Sequence, residues 1–196
     1  EFMFGSEDAM LPLDMSEFKD EASLNRLIGS PSGYVDSEAG GQLTERVRQQ
    51  PYIIVLFDEV EKAHPLVWNV MLQVLDDGIL TDSQGKTVNF KNCIIIMTSN
   101  IGSDKIVHNS IGFSKANENA DKTVEDKVMQ ELEKNNFFKV EFLNRIDEKI
   151  VFYPLSKEDC KLIVELELEY LKSRLLKKNI NISFKGLVSD FILRKG

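Results

Sequence analysis

Two short, uninterrupted runs of apolar and β-branched residues constrain the fold of this chain most strongly. They are Ile53–Phe57 and Ile94–Met97. Runs of this length without alternating polar residues are typical of strands buried on both faces of a parallel sheet. Lys149–Phe152 has a similar character and is a third candidate strand. The sequence therefore predicts a parallel sheet.

A helix is predicted between the first two strands. Pro65 suits a first helical turn, and the apolar residues after it recur at helical spacing up to Leu75. The order strand, helix, strand predicts an α/β fold. Residues 79–81 and 87–90 flank a turn that contains Gly85, which predicts a β-hairpin.

The chain of 196 residues is long enough for one domain and a small second one. Residues 103–122 are polar and predict an exposed loop, followed by a helix that starts near Thr123. Ser156 and Asp159 have the spacing of a helix cap, which predicts a long helix up to Leu176. A short strand is predicted at Ile180–Phe184. We expect a domain boundary between residues 153 and 154.

The charge of the chain argues against two classes of function, although it leaves room for a local basic patch. The net charge is -8 and the sequence pI is about 4.9, whereas nucleic acids and anionic lipid surfaces are bound by clustered positive charge. No apolar stretch approaches the roughly 18 to 20 residues that span a bilayer. We expect neither a nucleic-acid partner nor a membrane association.

Polar residues follow both strands at the edge where α/β proteins bind ligands. Asp58 and Glu59 come directly after the first run, and Asn100 follows the second. An Asp that holds Mg²⁺ through water and a Glu that polarises the attacking water would suit metal-assisted hydrolysis. The Asn amide could orient that water or contact a terminal phosphate. Each residue taken alone also fits a solvated strand end or a turn.

Four motifs occur in a distinctive order: VLFDEVEKAHPLVWNVMLQVLDDG, LTDSQGKTVNFKN, IIIMTSN and EFLNRIDE. In this order and spacing they resemble the second ATPase module of the Clp family of AAA+ unfoldases, and the resemblance covers essentially the whole chain. It implies an α/β AAA+ core of the P-loop type with three layers. The large subdomain would occupy residues 1–153 and a small helical C-terminal subdomain residues 154–196.

The resemblance also implies the roles of the polar residues. Asp58 would be the Walker B residue that contacts Mg²⁺ through water and helps to bind ATP, and Glu59 would be the catalytic glutamate. Asn100 would be the first sensor residue, which contacts the nucleotide and takes part in catalysis. The cofactors would be ATP and Mg²⁺, and the protein would be a homo-hexameric ring that acts on unfolded polypeptides.

Arg145 has two interpretations. The resemblance implies that it is an arginine finger, which reaches the ATP of a neighbouring subunit. The spacing alone favours an ion pair with Asp147 or Glu148.

Gly33, Tyr34 and Val35 lie in a segment punctuated by glycine and proline, which taken alone predicts a turn with a packed tyrosine. In the Clp pattern this segment resembles the axial pore loop, whose aromatic and aliphatic side chains grip an extended polypeptide. The chain departs from the pattern at Ser32, where the family has proline, and at Asp36, where it has glycine. The hairpin turn at residues 82–86 would correspond to the second pore loop.

Ile111, Gly112 and Phe113 are an apolar tripeptide within the polar segment. By default such residues fold back onto their own domain. In Clp unfoldases that feed a protease, a tripeptide at this place docks onto a ClpP-type peptidase ring, and ClpB-type disaggregases lack it. We therefore expect a ClpC-like protein of the bacterial cytoplasm or the plastid stroma. A ClpB-like disaggregase and a non-catalytic AAA+ scaffold are the alternatives.

The sequence contains no GxxxxGK[ST] loop, which would surround the phosphates with backbone N–H groups. It also lacks the Gly-Ala-Arg sensor motif of the family's small subdomain. We expect a core that lacks its first strand and Walker A loop and is truncated at both ends. Alone, these residues are expected to bind ATP very weakly and not to hydrolyse it.

Overall fold

The computed structural model describes residues 4–31, 40–101, 126–132 and 138–195. The chain divides into two compact units, residues 1–151 and residues 152–196. Among the described residues, none of the helices combines the length and the apolar character needed to cross a bilayer.

A parallel sheet forms the centre of the first unit. Its strands are β1 (Met10–Asp14), β2 (Ile54–Asp58) and β5 (Ile94–Met97), with β2 in the middle. Both pairings are parallel. The two strands predicted from the apolar runs and the parallel sheet are therefore confirmed.

Strand β1 was not predicted, and Pro12 explains why. A proline lacks the N–H that a central strand donates to its neighbours, so it argues against a strand. In the described residues β1 pairs only with β2, and an edge strand tolerates a proline. The register places Asp14 beside Asp58.

The hydrophobic core lies mainly against one face of this sheet. Val55 and Phe57 of β2 are buried, whereas Leu56 between them is half-buried. Ile96 of β5 is 42% exposed. The prediction that both strands are buried on both faces is therefore wrong for the described residues. Successive side chains alternate between faces, and the described residues pack closely against only one of them.

Helix α3 (Pro65–Asp77) connects β2 to the hairpin and confirms the predicted helix. Pro65 occupies the first turn, and the His64 ring accepts a hydrogen bond from the Leu66 N–H at 3.3 Å. Gly78 ends the helix with a φ of 66°, a left-handed conformation that glycine adopts without strain. The face of α3 that enters the core carries Val67, Val70, Met71 and Val74.

The predicted hairpin is confirmed as well. Strands β3 (Ile79–Thr81) and β4 (Thr87–Asn89) pair antiparallel directly after α3. Helices α1 (Glu21–Ile28) and α2 (Gln42–Gln49) pack against each other and, through α2, beside β4. The hairpin is thus fastened to the helices that precede β2.

Among the described residues of the first unit, two further helical segments follow β5. Residues 126–132 are helical and belong to α4, which agrees with the helix predicted behind Thr123. Helix α5 (Val140–Leu143) has a single turn. The polar segment at residues 103–122 lies outside the described residues.

The second unit contains α6 (Lys157–Leu176) and α7 (Leu187–Lys195). The predicted cap of α6 is confirmed, because Ser156 and Asp159 each accept the other's backbone N–H.

Two predicted strands are wrong. Lys149–Phe152 and Ile180–Phe184 form neither helix nor strand. A strand is stabilised by pairing and packing rather than by its composition, and no described segment pairs with either of them.

Candidate active site

One hydroxyl group links the Asp58 carboxylate to the Glu59 backbone at the carboxyl end of the sheet. Asp58 is the last residue of β2, Glu59 follows it, and Thr98 follows β5. The Thr98 Oγ1 hydroxyl donates to Asp58 Oδ1 and accepts the Glu59 N–H at 2.9 Å. Because β2 and β5 are parallel neighbours, their ends meet here.

Glu59 has an unusual backbone conformation. Its φ of 54° and ψ of 51° lie in the left-handed region, which costs an L-residue other than glycine roughly 1–2 kcal/mol. The conformation is held by the Thr98 hydroxyl and by the Val60 N–H, which donates to the Thr98 carbonyl at 3.0 Å. Strain of this kind is concentrated at functional sites, where surrounding contacts maintain it.

Both carboxylate oxygens of Glu59 have partners. Asn100 Nδ2 donates to Glu59 Oε1 at 3.4 Å, and Lys62 Nζ pairs with Glu59 Oε2 at 2.5 Å. The hydrogen bond to Glu59 raises the pKa of Lys62 above its ordinary value, and Glu61 and Asp14 add to the effect. The structure thus brings together Asp58, Glu59 and Asn100.

Glu61 is a further carboxylate of this group that the sequence analysis did not single out. Its Oε1 accepts the Asn100 backbone N–H at 3.3 Å. Its Oε2 is buried, with no hydrogen-bond partner among the described residues. Asn100 is therefore held at two points, by Glu59 through its side chain and by Glu61 through its backbone.

Asp14 was also missed, because the sequence did not reveal β1. It ends β1 next to Asp58, and its Oδ1 accepts the Ser16 N–H at 2.8 Å. Hydrogen bonds from the Ser16 hydroxyl and backbone hold the pKa of Asp14 below its ordinary value, and Lys62 and Lys19 contribute by charge. Two adjacent strands therefore each present an exposed carboxylate at the same edge.

The donor set suits a magnesium ion that arrives with a nucleotide. Mg²⁺ usually keeps several waters and binds one or two carboxylates together with substrate phosphates. The described residues contain no group of three or more His, Cys, Asp or Glu side chains that could hold a metal by themselves. Asp58 and the neighbouring Asp14 provide the hard oxygen atoms that a phosphate-bound ion needs.

The chain does contain one Gly-Lys-Thr triplet, Gly85 to Thr87. It lies at the hairpin turn and the start of β4, and not between a strand and a helix. A phosphate-binding loop needs the following helix N-terminus, so this triplet does not replace the missing loop.

Arg145 lies away from the carboxylate group. Its Nε pairs with Asp76 near the end of α3, and not with Asp147 or Glu148, the partners suggested by spacing. Asp76 follows Pro65 by eleven residues, which is about 16 Å along a helix that begins just after Glu59. The structure therefore does not bring Arg145 together with the other predicted site residues.

Aromatic packing fixes the segment that carries Arg145. Phe138 and Phe142 each meet the Trp68 ring edge-on, with ring centroids 4.9 Å apart in both pairs. Such pairs stabilise by about 0.5–1.5 kcal/mol beyond the area they bury. Trp68 belongs to α3, so α5 and the residues after it are attached to this helix.

The remaining predicted site residues cannot be placed in the same way. Gly33, Tyr34 and Val35 of the predicted pore loop lie outside the described residues. The same holds for Ile111, Gly112 and Phe113 of the predicted protease-docking tripeptide.

Comparison with known proteins gives two kinds of relatives at nearly equal identity. The chain is 50% identical to the chaperone protein ClpB of Oceanobacillus iheyensis and 49% identical to the ATP-dependent Clp protease ATP-binding subunit ClpC of Staphylococcus epidermidis. Both matches cover 100% of this chain and 24% of the relative. The chain thus spans about a quarter of the length of the curated relatives it matches.

Solved structures and a family model agree with these relatives. The fold matches a closed-state cryo-EM reconstruction of Hsp104 with ATPγS and FITC casein at a TM-score of 0.79 and 40% identity, covering 98% of this chain and 32% of that one. An extended Hsp104–casein complex from S. cerevisiae matches equally well, over 100% of this chain and 33% of that one. The model of the AAA domain (Cdc48 subfamily) matches residues 1–149. With its parallel α/β sheet and its carboxylates at the sheet edge, this chain belongs to the AAA domain family, Cdc48 subfamily.

Proposed function

We propose that this chain is the part of an ATP-driven protein unfoldase that positions the magnesium ion and the attacking water. The observation that carries the proposal is the group at the sheet edge, in which Asp58, Glu59 and Asn100 are joined through Thr98 and through direct contacts. The family membership and the ClpB and ClpC relatives support an ATPase of the Clp type.

Each of these side chains has a separate role in the proposed chemistry. Asp58 would hold Mg²⁺ through water, and the ion would supply positive charge to neutralise the phosphates. Glu59 accepts the proton of the attacking water, a role that typically accelerates a reaction by about 10²–10⁴-fold. Asn100 orients that water without adding negative charge near the phosphates. Glu59 must first exchange its contact with Lys62 for the water, because both of its oxygens are engaged.

We also propose that the whole protein threads unfolded polypeptides through the pore of a homo-hexamer. Gly33, Tyr34 and Val35 would contact the polypeptide, and Arg145 would act on the ATP of a neighbouring subunit. The Hsp104 structures that this chain resembles contain casein, a polypeptide, and one contains ATPγS, an ATP analogue. The casein supports a polypeptide substrate, and the ATPγS supports a nucleotide-binding protein.

The protease partner is a finer proposal. Ile111, Gly112 and Phe113 would dock onto a ClpP-type peptidase ring, in the bacterial cytoplasm or the plastid stroma. ClpB and ClpC relatives match at nearly equal identity, so a ClpB-like disaggregase is the second candidate. A pull-down with a ClpP ring separates the two. Binding that is lost in Phe113→Ala supports the protease partner, and no binding by either protein supports the disaggregase.

Residues 1–196 alone are proposed to bind ATP very weakly and not to hydrolyse it, because they include no GxxxxGK[ST] loop. Titration calorimetry of these residues with a slowly hydrolysed ATP analogue tests this. Micromolar binding would contradict it.

The catalytic assignment is tested in the whole protein with Glu59→Gln, which keeps the shape of the side chain but removes the base. We expect ATP turnover to fall by about 10²-fold or more while nucleotide binding persists. Glu165→Gln, an exposed glutamate of α6, is the matched control and should leave turnover unchanged. Equal turnover in Glu59→Gln and the unaltered protein would refute the assignment.

A further inference from the structure

The turn between β3 and β4 contains a buried charge that the proposed chemistry does not use. Asp82 is only 8% exposed. It accepts the backbone N–H groups of Gln84 at 2.9 Å and Lys86 at 2.8 Å, and the Arg48 Nη2 at 2.6 Å. Burial opposes ionisation of Asp82, but these donors outweigh it and hold its pKa below the ordinary value. The backbone hydrogen bonds to Asp82 therefore close the turn without Arg48. The ion pair with Arg48 links the turn to α2.

The next residue of the turn contacts the end of α1. The Ser83 N–H donates to the Ile28 carbonyl at 3.3 Å, and the Ser83 Oγ lies 3.2 Å from the same oxygen. The Ser83 Oγ also donates to the Gly29 carbonyl. The hairpin is thus attached to α1 on one side and to α2 on the other.

The end of α1 and the start of α2 lie close together at Gly29 and Gly41. A Cβ atom on Gly29, which has a φ of 94°, would lie 3.3 Å from Gly41 N and 3.6 Å from Ser83 Oγ. A Cβ atom on Gly41 would collide with the backbone of Leu27 and Ile28. Both glycines are therefore required for the close approach. The described residues on either side of the predicted pore loop therefore lie next to each other beside the hairpin turn.

We propose that Arg48, Asp82 and Ser83 form a clasp, a set of positioning residues that keeps the hairpin turn at a fixed place relative to both ends of this loop. The inference rests on the proposed function, in which the loop contains the polypeptide-contacting Tyr34. Force on either segment would then pass to the other through the clasp, so that the two act on a polypeptide together.

The physical cost of the clasp argues for a role beyond fold stability. Asp82 loses its hydration in this ion pair, whereas the Arg48 side chain stays 31% exposed. An ion pair that removes a charge from water is often no more stabilising than well-packed apolar residues of similar size. The advantage of the ion pair is a defined orientation, because a guanidinium holds a carboxylate in one geometry. Arg48 also pairs with Glu45 of its own helix, which leaves the guanidinium little freedom to turn.

The test uses the whole protein with Arg48→Gln, which cuts the link to α2 and leaves the turn's backbone hydrogen bonds to Asp82 intact. Arg46→Gln is the matched control, because Arg46 is on the same helix and its side chain donates to the Asp8 carbonyl instead of to Asp82. Amide hydrogen exchange is followed in peptides covering residues 26–31, 40–46 and 82–86. ATP turnover is measured with and without an unfolded polypeptide such as casein.

The clasp predicts that Arg48→Gln accelerates exchange at the loop end near Gly41 by about tenfold, while the turn at residues 82–86 changes little. It also predicts a KM for the polypeptide raised about tenfold, with ATP turnover in its absence unchanged. Ser83→Ala should accelerate exchange in residues 26–31 instead. Arg46→Gln should do none of these.

The clasp is overturned if Arg48→Gln and Ser83→Ala both show the same amide exchange and the same KM for the polypeptide as the unaltered protein. If amide exchange is faster but the KM for the polypeptide is unchanged, the clasp is only a structural contact and its positioning role is overturned. If the unaltered protein itself shows no response to polypeptide, the proposed function fails and the positioning role fails with it. The exchange data alone would then decide whether the hairpin and loop are linked.

Discussion

Thr98 offers the most informative test of the candidate active site. In the described residues, its hydroxyl joins the Asp58 carboxylate to the Glu59 backbone. Thr98→Val preserves the shape of the side chain and removes the hydroxyl, whereas Thr98→Ser keeps the hydroxyl and removes a methyl group. The pair of variants therefore separates hydrogen bonding from packing.

The magnitude follows from the two lost hydrogen bonds. A bond to a charged group contributes about 1.5–3 kcal/mol and a neutral one about 1 kcal/mol. Asp58 and Thr98 are both exposed, so water replaces much of what is lost. We expect a net loss of about 1–2 kcal/mol in the local opening free energy at Glu59, which is a factor of roughly 5 to 30. The left-handed conformation of Glu59 then loses one of its two anchors.

The assay is amide hydrogen exchange of the Glu59 to Lys62 turn in the whole protein, together with the rate of ATP turnover. Thr98→Val should accelerate exchange by the factor above and lower turnover by about 10- to 100-fold, the usual effect of removing a group that orients a metal-site residue. Thr98→Ser should resemble the unaltered protein in both measurements. If Thr98→Val and Thr98→Ser behave alike, the hydroxyl does not hold the site and the reasoning is wrong.

Three further predictions concern residues outside this link. The pKa of Asp82 in the folded protein lies below its ordinary value of 3.8. Ionised Asp82 therefore stabilises the fold above about pH 4, and this stabilisation is lost as the pH falls through the folded-state pKa. In denaturant unfolding, the free energy of unfolding of Asp82→Asn should depend less on pH in this acid range. Gly41→Ala should destabilise by about 1–3 kcal/mol in the same assay, since its Cβ would meet backbone, whereas Gly186→Ala, with open space around it, should not. Asp76→Asn should leave stability within about 0.5 kcal/mol, because its ion pair with Arg145 is largely exposed.

The sequence predicted the elements whose pattern is local. The β2 and β5 runs, α3 with Pro65 at its start, and the hairpin each carry their own signal and are present as expected. The meeting of Asp58 with the residues after β5 followed from one general rule, that parallel strands end at the same edge. These features needed no knowledge of distant contacts.

The features that were missed depend on contacts between distant parts of the chain. Asp14 could be placed only with β1, whose Pro12 argued against a strand. The left-handed backbone at Glu59 has no signal in sequence, because glycine or asparagine would be expected there. Glu61 and Lys62 lie in a short 3-10 turn (Val60–Lys62), so a helical pattern does not reveal that they approach Asn100 and Glu59.

The two predicted strands that proved wrong also show that contacts between distant parts of the chain decide the structure. Lys149–Phe152 and Ile180–Phe184 are rich in residues that favour strands, but a strand forms only where a partner accepts its hydrogen bonds. Ile150 is 75% exposed and Phe152 is 85% exposed, so neither gains the packing that stabilises a β-conformation.

Helix α3 has the carboxylate group before its first turn and the partner of Arg145 in its last turn, and this bears on the proposed ring. Its first turn follows the carboxylate group, and its last turn carries Asp76, the partner of Arg145. Asp76 lies about 16 Å along the helix axis from Pro65, so Arg145 is held near the end of α3 that is remote from its first turn. The aromatic contacts of Phe138 and Phe142 with Trp68 keep it there. This position favours the proposal that Arg145 acts on the ATP of a neighbouring subunit and not on ATP held at its own Asp58.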